Sequence, residues 1–183
     1  MEENHMKPQI KIYGRRERTR GQGMVEFAMT LPLLLLLLLG IIEFGRLLFV
    51  YSSVISAARE AARYGAAGGR INPTNLNSVT YFRDCNGIRS AAIRIAGIAG
   101  VPNTTTGVRI RYDDGTAILA DNVADMCPVN GNGPENIGQG DRIEVTVTAR
   151  FVPTNGIVPI PAINIFSTVR RSVIVNVQVL PDN

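Results

Sequence analysis

Tryptophan is absent from the sequence, histidine occurs once and cysteine twice among 183 residues. The single histidine, His5, lies near the N-terminus, so the rest of the chain cannot supply a histidine-rich metal site or a histidine base. We find no nucleophile motif and no glycine-rich phosphate loop after a strand. Aromatic residues make up 6% of the chain and do not alternate with cations. We therefore expect no enzymatic activity, cofactor, metal site or nucleic-acid partner.

The net charge of +4 originates at the N-terminal end. Residues 1–20 contain three acidic residues and six cations, namely Lys7, Lys11, Arg15, Arg16, Arg18 and Arg20. Beyond Gly65 the two signs are mixed and nearly balanced. This distribution is typical of the positive flank of a membrane anchor.

A long apolar segment follows these cations. From Phe27 to Ile42 every residue except Thr30 is apolar or small, and residues 33–39 are seven consecutive leucines. Sixteen helical residues cover about 24 Å, and the flanking apolar residues 24–25 and 47–50 extend the stretch to the thickness of a bilayer. Cationic flanks stay in the cytoplasm, so we predict a single-pass protein with a cytoplasmic N-terminus and a periplasmic C-terminal domain.

A cleaved secretory signal is the competing interpretation of this segment. Its apolar core would be shorter, and small residues of a cleavage site would follow it. Here the charged sequence Glu43-Phe44-Gly45-Arg46 follows, and the helical pattern continues beyond it. We therefore do not expect cleavage after the leucines.

Three charged residues lie at the ends of the apolar helix. Glu43 and Arg46 are three positions apart on one helix face, so we predict an ion pair at the outer end. Glu26 stands at the cytoplasmic end, where a carboxylate at headgroup depth is favoured by the helix dipole. That explanation accounts for Glu26 alone and leaves its surroundings unexplained.

The surroundings of Glu26, from Arg20-Gly21-Gln22-Gly23 to Met24-Val25-Glu26-Phe27, resemble the processing site of type IV prepilins. The resemblance is strongest to pseudopilins of the tight-adherence (Tad) system. It implies that a membrane-embedded aspartic prepilin peptidase cuts after Gly21 on the cytoplasmic side. Gln22 then becomes the N-terminus, and Glu26 is the fifth residue, followed by the aromatic Phe27. A cut after Gly23 would make Glu26 the third residue, which fits the pattern poorly.

The likeness continues through residues 20–66, which resemble the N-terminal region of TadE-like minor pilins. It implies a minor pilin or pseudopilin that takes part in assembly of an adhesive Tad-type pilus. The new α-amine would pair with Glu26, most simply that of a neighbouring subunit. The implied partners are the prepilin peptidase, the major and minor pilins, an inner-membrane assembly platform and membrane lipid. The implied location is the bacterial inner membrane or an extracellular pilus.

The helical pattern runs past the membrane to about Tyr64. Small residues repeat four apart in two series along it: Ala57, Ala61 and Gly65, and Ala58, Ala62 and Ala66. Such spacing allows close packing, either against this chain's own sheet or against a neighbouring helix. We therefore divide the chain into a basic prepeptide (1–21), a transmembrane and extended helix (22–66) and an α+β domain (67–183).

The predicted domain contains a second helix and several strands. The helix is predicted over residues 76–99, with Ile98 on its apolar face and Arg83, Arg89 and Arg94 on a solvated face. Alternation predicts a strand around 108–112 with a hairpin turn at 113–115 into 117–119, and further strands at 143–151 and 173–179. Residues 152–166 are predicted to be an apolar connection that covers the core edge or contacts other pilus subunits. A long N-terminal helix packed on a small antiparallel sheet is the pilin-like layout.

Cys85 and Cys127 are the only cysteines, and both lie in the part predicted to be translocated. An even count there favours a disulfide over two buried thiols. The loop 121–141 carries oxygen-bearing side chains, namely Asp121, Asp125, Asn130, Asn132, Glu135 and Asp141. Their spacing fits no EF-hand, so a plain surface loop is preferred to a calcium site.

The alternative to a pilus role is a signal-anchored periplasmic binding protein without a filament function. A plain anchor requires neither the glycine at position 21 nor the glutamate at position 26. These two residues therefore discriminate between the two hypotheses.

Overall fold

The computed structural model describes residues 21–72, 74–75, 78–115, 127–128, 131–135, 137–138, 140–154 and 161–173. The chain divides into two units, residues 1–40 and residues 41–183. This division separates two groups of residues that make most of their contacts within their own group. The boundaries at 21 and 66 concern processing and exposure to the membrane, and they stay predictions.

Helix α1 is the longest element and comprises Gln22–Gly65, 44 residues with Pro32 inside. Its end lies one residue beyond the predicted one, so the continuous helix is confirmed. It is the one helix within the described residues that is long and apolar enough to cross a membrane, judged by length and composition. Up to Gly40 nearly all of its side chains are exposed, and the leucines point outward on every side. A helix that is apolar all round belongs in lipid or among other helices.

The sheet lies in the second unit and has three antiparallel strands in the order β1-β2-β3. Strand β1 is Val108–Asp113, β2 is Arg142–Phe151 and β3 is Ile163–Ser172. Ile110 pairs with Val145 in one ladder, and Val145 pairs with Val169 in the next. The predicted strands at 108–112 and 143–151 and the α+β class are confirmed.

Strand β3 corrects the predicted connection over residues 152–166. Ile165, Ser167 and Val169 are half-buried, whereas the residues between them are exposed, so the segment has the period of a strand. The serine and the neighbouring arginines concealed this alternation in the sequence. Of the strand predicted at 173–179, only Val173 lies within the described residues, and it is buried just after β3. The partner predicted for the 113–115 turn, residues 117–119, lies outside them.

The second helix is shorter than predicted. Helix α2 is Cys85–Ala96, preceded by a short 3-10 helix at Tyr81–Arg83. Asp84 separates them, and its Oδ1 accepts a hydrogen bond of 2.9 Å from the Gly87 N–H, so it caps the new helix. The helical spacing of apolar residues continues through both helices, but the backbone leaves the helical conformation at Asp84, which caps the start of α2.

The core lies between the second half of α1, helix α2 and one face of the sheet. The five inward residues of β2 are all buried, namely Ile143, Val145, Val147, Ala149 and Phe151. The small residues of α1 are fully buried in the same cluster: Ala57, Ala58, Ala61 and Ala62. A Cβ placed on Gly65 would lie 2.5 Å from Ile143 Cδ1. The small-residue series therefore packs on this chain's own domain, the first of the two predicted alternatives.

Candidate assembly segment and its supporting contacts

The predicted processing site lies at the first turn of α1. Gly21 is in a turn, and Gln22 is the first helical residue. Both are exposed, and a Cβ added to Gly21 would meet nothing within 4 Å. The Gly21 carbonyl accepts the Val25 N–H at 3.3 Å, which is long for a hydrogen bond. The peptide bond after Gly21 is thus open to solvent and weakly held.

Glu26 and Phe27 follow one turn later, and both are exposed on an apolar helix. The Glu26 carbonyl accepts a hydrogen bond of 3.0 Å from Thr30 Oγ1. Within the described part of the chain, the structure shows neither an ion pair nor a hydrogen bond of the Glu26 carboxylate. A carboxylate immersed in lipid would cost a few kcal/mol unless it is paired (about 2.5–3.5 kcal/mol for a charge at a helix centre).

The predicted pair Glu43–Arg46 lies in the second unit, where Arg46 Nη1 is 2.9 Å from Glu43 Oε1. The structure adds two partners from the end of β2. The Thr154 N–H donates to Glu43 Oε1 at 3.0 Å, and the Arg46 guanidinium lies 5.2 Å from the centre of the Phe151 ring. The Glu43 side chain is only 15% exposed. The pair therefore ties α1 to β2.

No sequence signal identifies Thr154 or Phe151 as partners of this pair. They lie more than a hundred positions from Glu43 and Arg46, and both read as ordinary strand-end residues. Only the antiparallel course of β2 beside α1 brings them there. Many strands end on an aromatic residue that a polar residue follows. This pattern is therefore too common to predict a contact with a distant ion pair.

The disulfide between Cys85 and Cys127 is present, and both residues are fully buried. It ties the start of α2 to the segment before Pro128. Beside it lies Arg89, whose Nη1 donates to the Pro128 carbonyl at 2.9 Å and whose Nη2 donates to the Cys127 carbonyl. Arg89 is 1% exposed, so its predicted place on a solvated face is wrong.

The other members of that predicted helix have different outcomes. Arg94 is on the surface and pairs with Glu60 at 3.2 Å. Arg83 is partly exposed and pairs with Glu135 at 2.8 Å. Ile98 was predicted on the apolar face, but it is 91% exposed because α2 ends at Ala96 and the chain turns away.

The described part of the 121–141 loop offers no grouped ligands for calcium. Glu135 is paired with Arg83, and Asp141 Oδ2 accepts the Gly138 N–H at 2.6 Å. Among the described residues, no group of three acidic, histidine or cysteine side chains could hold a metal ion. Asp121, Asp125 and Asn130 lie outside those residues.

Residues 21–63 match the family model described as TadE-like protein. This segment is similar to TadE-like proteins, and the similarity covers less than half of the chain. No curated protein and no solved structure matches the chain. The TadE-like segment begins at Gly21 and includes Glu26 and the Glu43–Arg46 pair. The family points to a protein associated with the Tad pilus.

Proposed function

We propose that the chain is a minor pilin or pseudopilin that a prepilin peptidase processes after Gly21 and that takes part in assembly of a Tad-type adhesive pilus. The TadE-like match, which begins at Gly21, carries this proposal. The exposed apolar helix and Glu26 within it support the same conclusion. The partners we propose are the peptidase, other pilus subunits and the inner-membrane assembly platform.

Processing hydrolyses the peptide bond between Gly21 and Gln22. Water adds across the bond, Gly21 keeps the new carboxylate, and Gln22 gains a free α-amine. A protease needs its substrate extended, so the first turn of α1 must open. The scissile carbonyl accepts a long hydrogen bond of 3.3 Å from the Val25 N–H, and a Cβ on Gly21 would meet no described residue within 4 Å, so this opening requires little rearrangement.

The free amine of Gln22 provides a partner for Glu26 in an assembly. In a low-dielectric helix bundle an unpaired carboxylate is strongly penalised, and the pairing with an amine removes that penalty. A neighbouring subunit can satisfy Glu26 only in the correct axial register. The pair therefore selects the stagger between packed α1 helices.

The test is to express the full chain with and without a prepilin peptidase and to determine its N-terminus. We expect a new start at Gln22 only when the peptidase is present. Gly21→Ala should block processing. The matched control Gly23→Ala, also exposed and free of Cβ contacts, should be cut normally. Glu26→Gln should be processed but should not co-purify with other pilus subunits.

Two results would contradict this proposal. A chain that keeps Met1 in the presence of an active peptidase would favour the signal-anchored binding protein. A cut beyond Gly45 would identify a removable secretory signal.

A further inference from the structure

Two large aliphatic side chains protrude from one end of the second unit. Ile98 lies in the turn after α2 and is 91% exposed, and Val152 directly follows β2 and is 53% exposed. Their chain neighbours Ala99 and Phe151 are buried. Single exposed aliphatic residues are common on protein surfaces, so their meaning depends on what lies beside them.

Both turns lie beside the same stretch of α1. Phe49 and Val50 of α1, Ile98 and Ala99 after α2, and residues 150–152 at the end of β2 line one shallow groove. Helix α2 and strand β2 both run back along α1. At the far end of the unit, the Tyr64 hydroxyl donates to Asp84 just before α2, and Gly65 lies beside Ile143 of β2. Their two ends therefore meet at the part of α1 that is nearest to its apolar segment.

This part of α1 is itself apolar and exposed, although it belongs to the second unit. The exposed residues are Ile41, Ile42, Phe44, Leu48, Phe49 and Tyr51. From Val50 onward the helix contributes buried residues to the core. The apolar surface of the unit thus continues from α1 onto Ile98 and Val152 and belongs to one end of the unit.

The length of α1 places this end at the surface of a bilayer. About 20 helical residues cross a hydrocarbon core of about 30 Å, and counted from Phe27 they end near Arg46. The next turns, up to Tyr51, then lie at headgroup depth, where tyrosine is enriched. Ile98 and Val152 lie beside these turns and so at the same depth.

The charges at this end fit a phospholipid surface. Arg46 and Arg150 line the groove, and Arg150 is exposed. The acidic residue next to them, Glu43, is already bonded to Arg46 and Thr154. No acidic residue among those described lines the groove itself. A guanidinium beside exposed aliphatic side chains matches a phosphate above acyl chains.

We propose that Ile98, Arg150 and Val152 form a lipid-binding tip that enters the headgroup layer of an anionic bilayer. Ile98 and Val152 insert at the boundary between the headgroups and the upper acyl chains, and Arg150 binds a lipid phosphate. The tip holds the sheet unit against the membrane before any assembly. This inference rests on α1 crossing a bilayer and is independent of processing at Gly21.

The test uses the full chain in lipid nanodiscs, one copy per disc, under non-reducing conditions that preserve the Cys85–Cys127 disulfide. A fluorophore is attached to Ile98→Cys, and lipids brominated high on the acyl chain serve as the quencher. The matched control is Ser172→Cys, exposed at the opposite end of the unit. We expect quenching at position 98 and none at position 172.

A second arm identifies the headgroup. Discs of phosphatidylglycerol and of phosphatidylcholine are compared for the chain labelled at position 98, with and without Arg150→Gln. We expect stronger quenching in the anionic discs and a roughly fivefold loss of that preference in the variant, the effect of one cation near an anionic surface.

Two results would overturn the proposal. The first is a position 98 that is unquenched in every lipid. The second is an anionic preference that Arg150→Gln leaves unchanged. Each result can be obtained whether or not the chain is processed at Gly21. Failure of the lipid-binding proposal is therefore distinct from failure of the proposed pilin function.

Discussion

At the scale of single residues, Arg89 shows how far a side chain's role depends on its surroundings. Its position on a helix with Arg83 and Arg94 favours a solvated face, and two of the three arginines are indeed at or near the surface. Arg89 instead faces the carbonyls of Cys127 and Pro128. Carbonyls in a loop give no sequence signal, because every residue has one.

Arg89→Met should lower the free energy of unfolding by about 1–3 kcal/mol, because it removes the buried guanidinium that donates to the Cys127 and Pro128 carbonyls. Arg89→Lys should recover only part of this, since an ammonium lacks the planar fork that reaches both carbonyls. Chemical denaturation of the full chain in detergent, without reductant, measures the change. The matched control is Arg94→Met, on the surface of the same helix, which should change stability by less than about 0.5 kcal/mol. Equal effects at both positions would contradict the role of Arg89.

At the scale of secondary-structure elements, α1 is one helix with two kinds of surface. Up to about Tyr51 most of its large apolar side chains are exposed, whereas from Ser53 its small residues are buried against α2 and β2. Alanine and glycine allow the helix backbone to approach the sheet closely, and a Cβ on Gly65 would require the Ile143 side chain to move. The size of the residues on this face thus determines the distance between helix and sheet.

Ala61→Leu should therefore destabilise the domain by about 1–3 kcal/mol, because a larger side chain cannot enter a fully packed core without moving it. Ser56→Leu provides the comparison. Ser56 is exposed on the same helix, and this substitution also introduces leucine. Thermal unfolding followed by circular dichroism should show a lower midpoint for Ala61→Leu alone. If both variants melt alike, the close packing of α1 on the sheet is wrong.

At the scale of the whole molecule, the arrangement of charge and hydrophobicity predicts a side of the membrane. The cations of residues 1–20 precede the apolar segment, and the charges of the C-terminal domain are balanced. Moving a cationic cluster across a bilayer is disfavoured, so the short N-terminal end should stay in the cytoplasm. The disulfide of the domain is consistent with an oxidising compartment.

Protease treatment of intact spheroplasts should consequently digest the C-terminal domain and spare a tag placed at Met1. Inverted membrane vesicles should give the opposite pattern. Because processing would remove the tag, the experiment uses Gly21→Ala or a host without the peptidase. A tag that is digested in spheroplasts would reverse the predicted orientation.

The sequence by itself determined the long apolar helix, the TadE-like segment and the strands around Ile110 and Val145. These features follow from local rules, since a bilayer demands a continuous apolar run and a half-buried strand demands alternation. Tertiary structure alone decided the burial of Arg89, the Thr154 contact to Glu43, the shorter α2 and the existence of β3. Each depends on which residues far apart in the sequence come into contact. Neither the spacing of apolar residues nor the composition encodes such contacts. The same reason separates Ile98 from the core, because its exposure depends on where α2 ends and not on its own hydrophobicity.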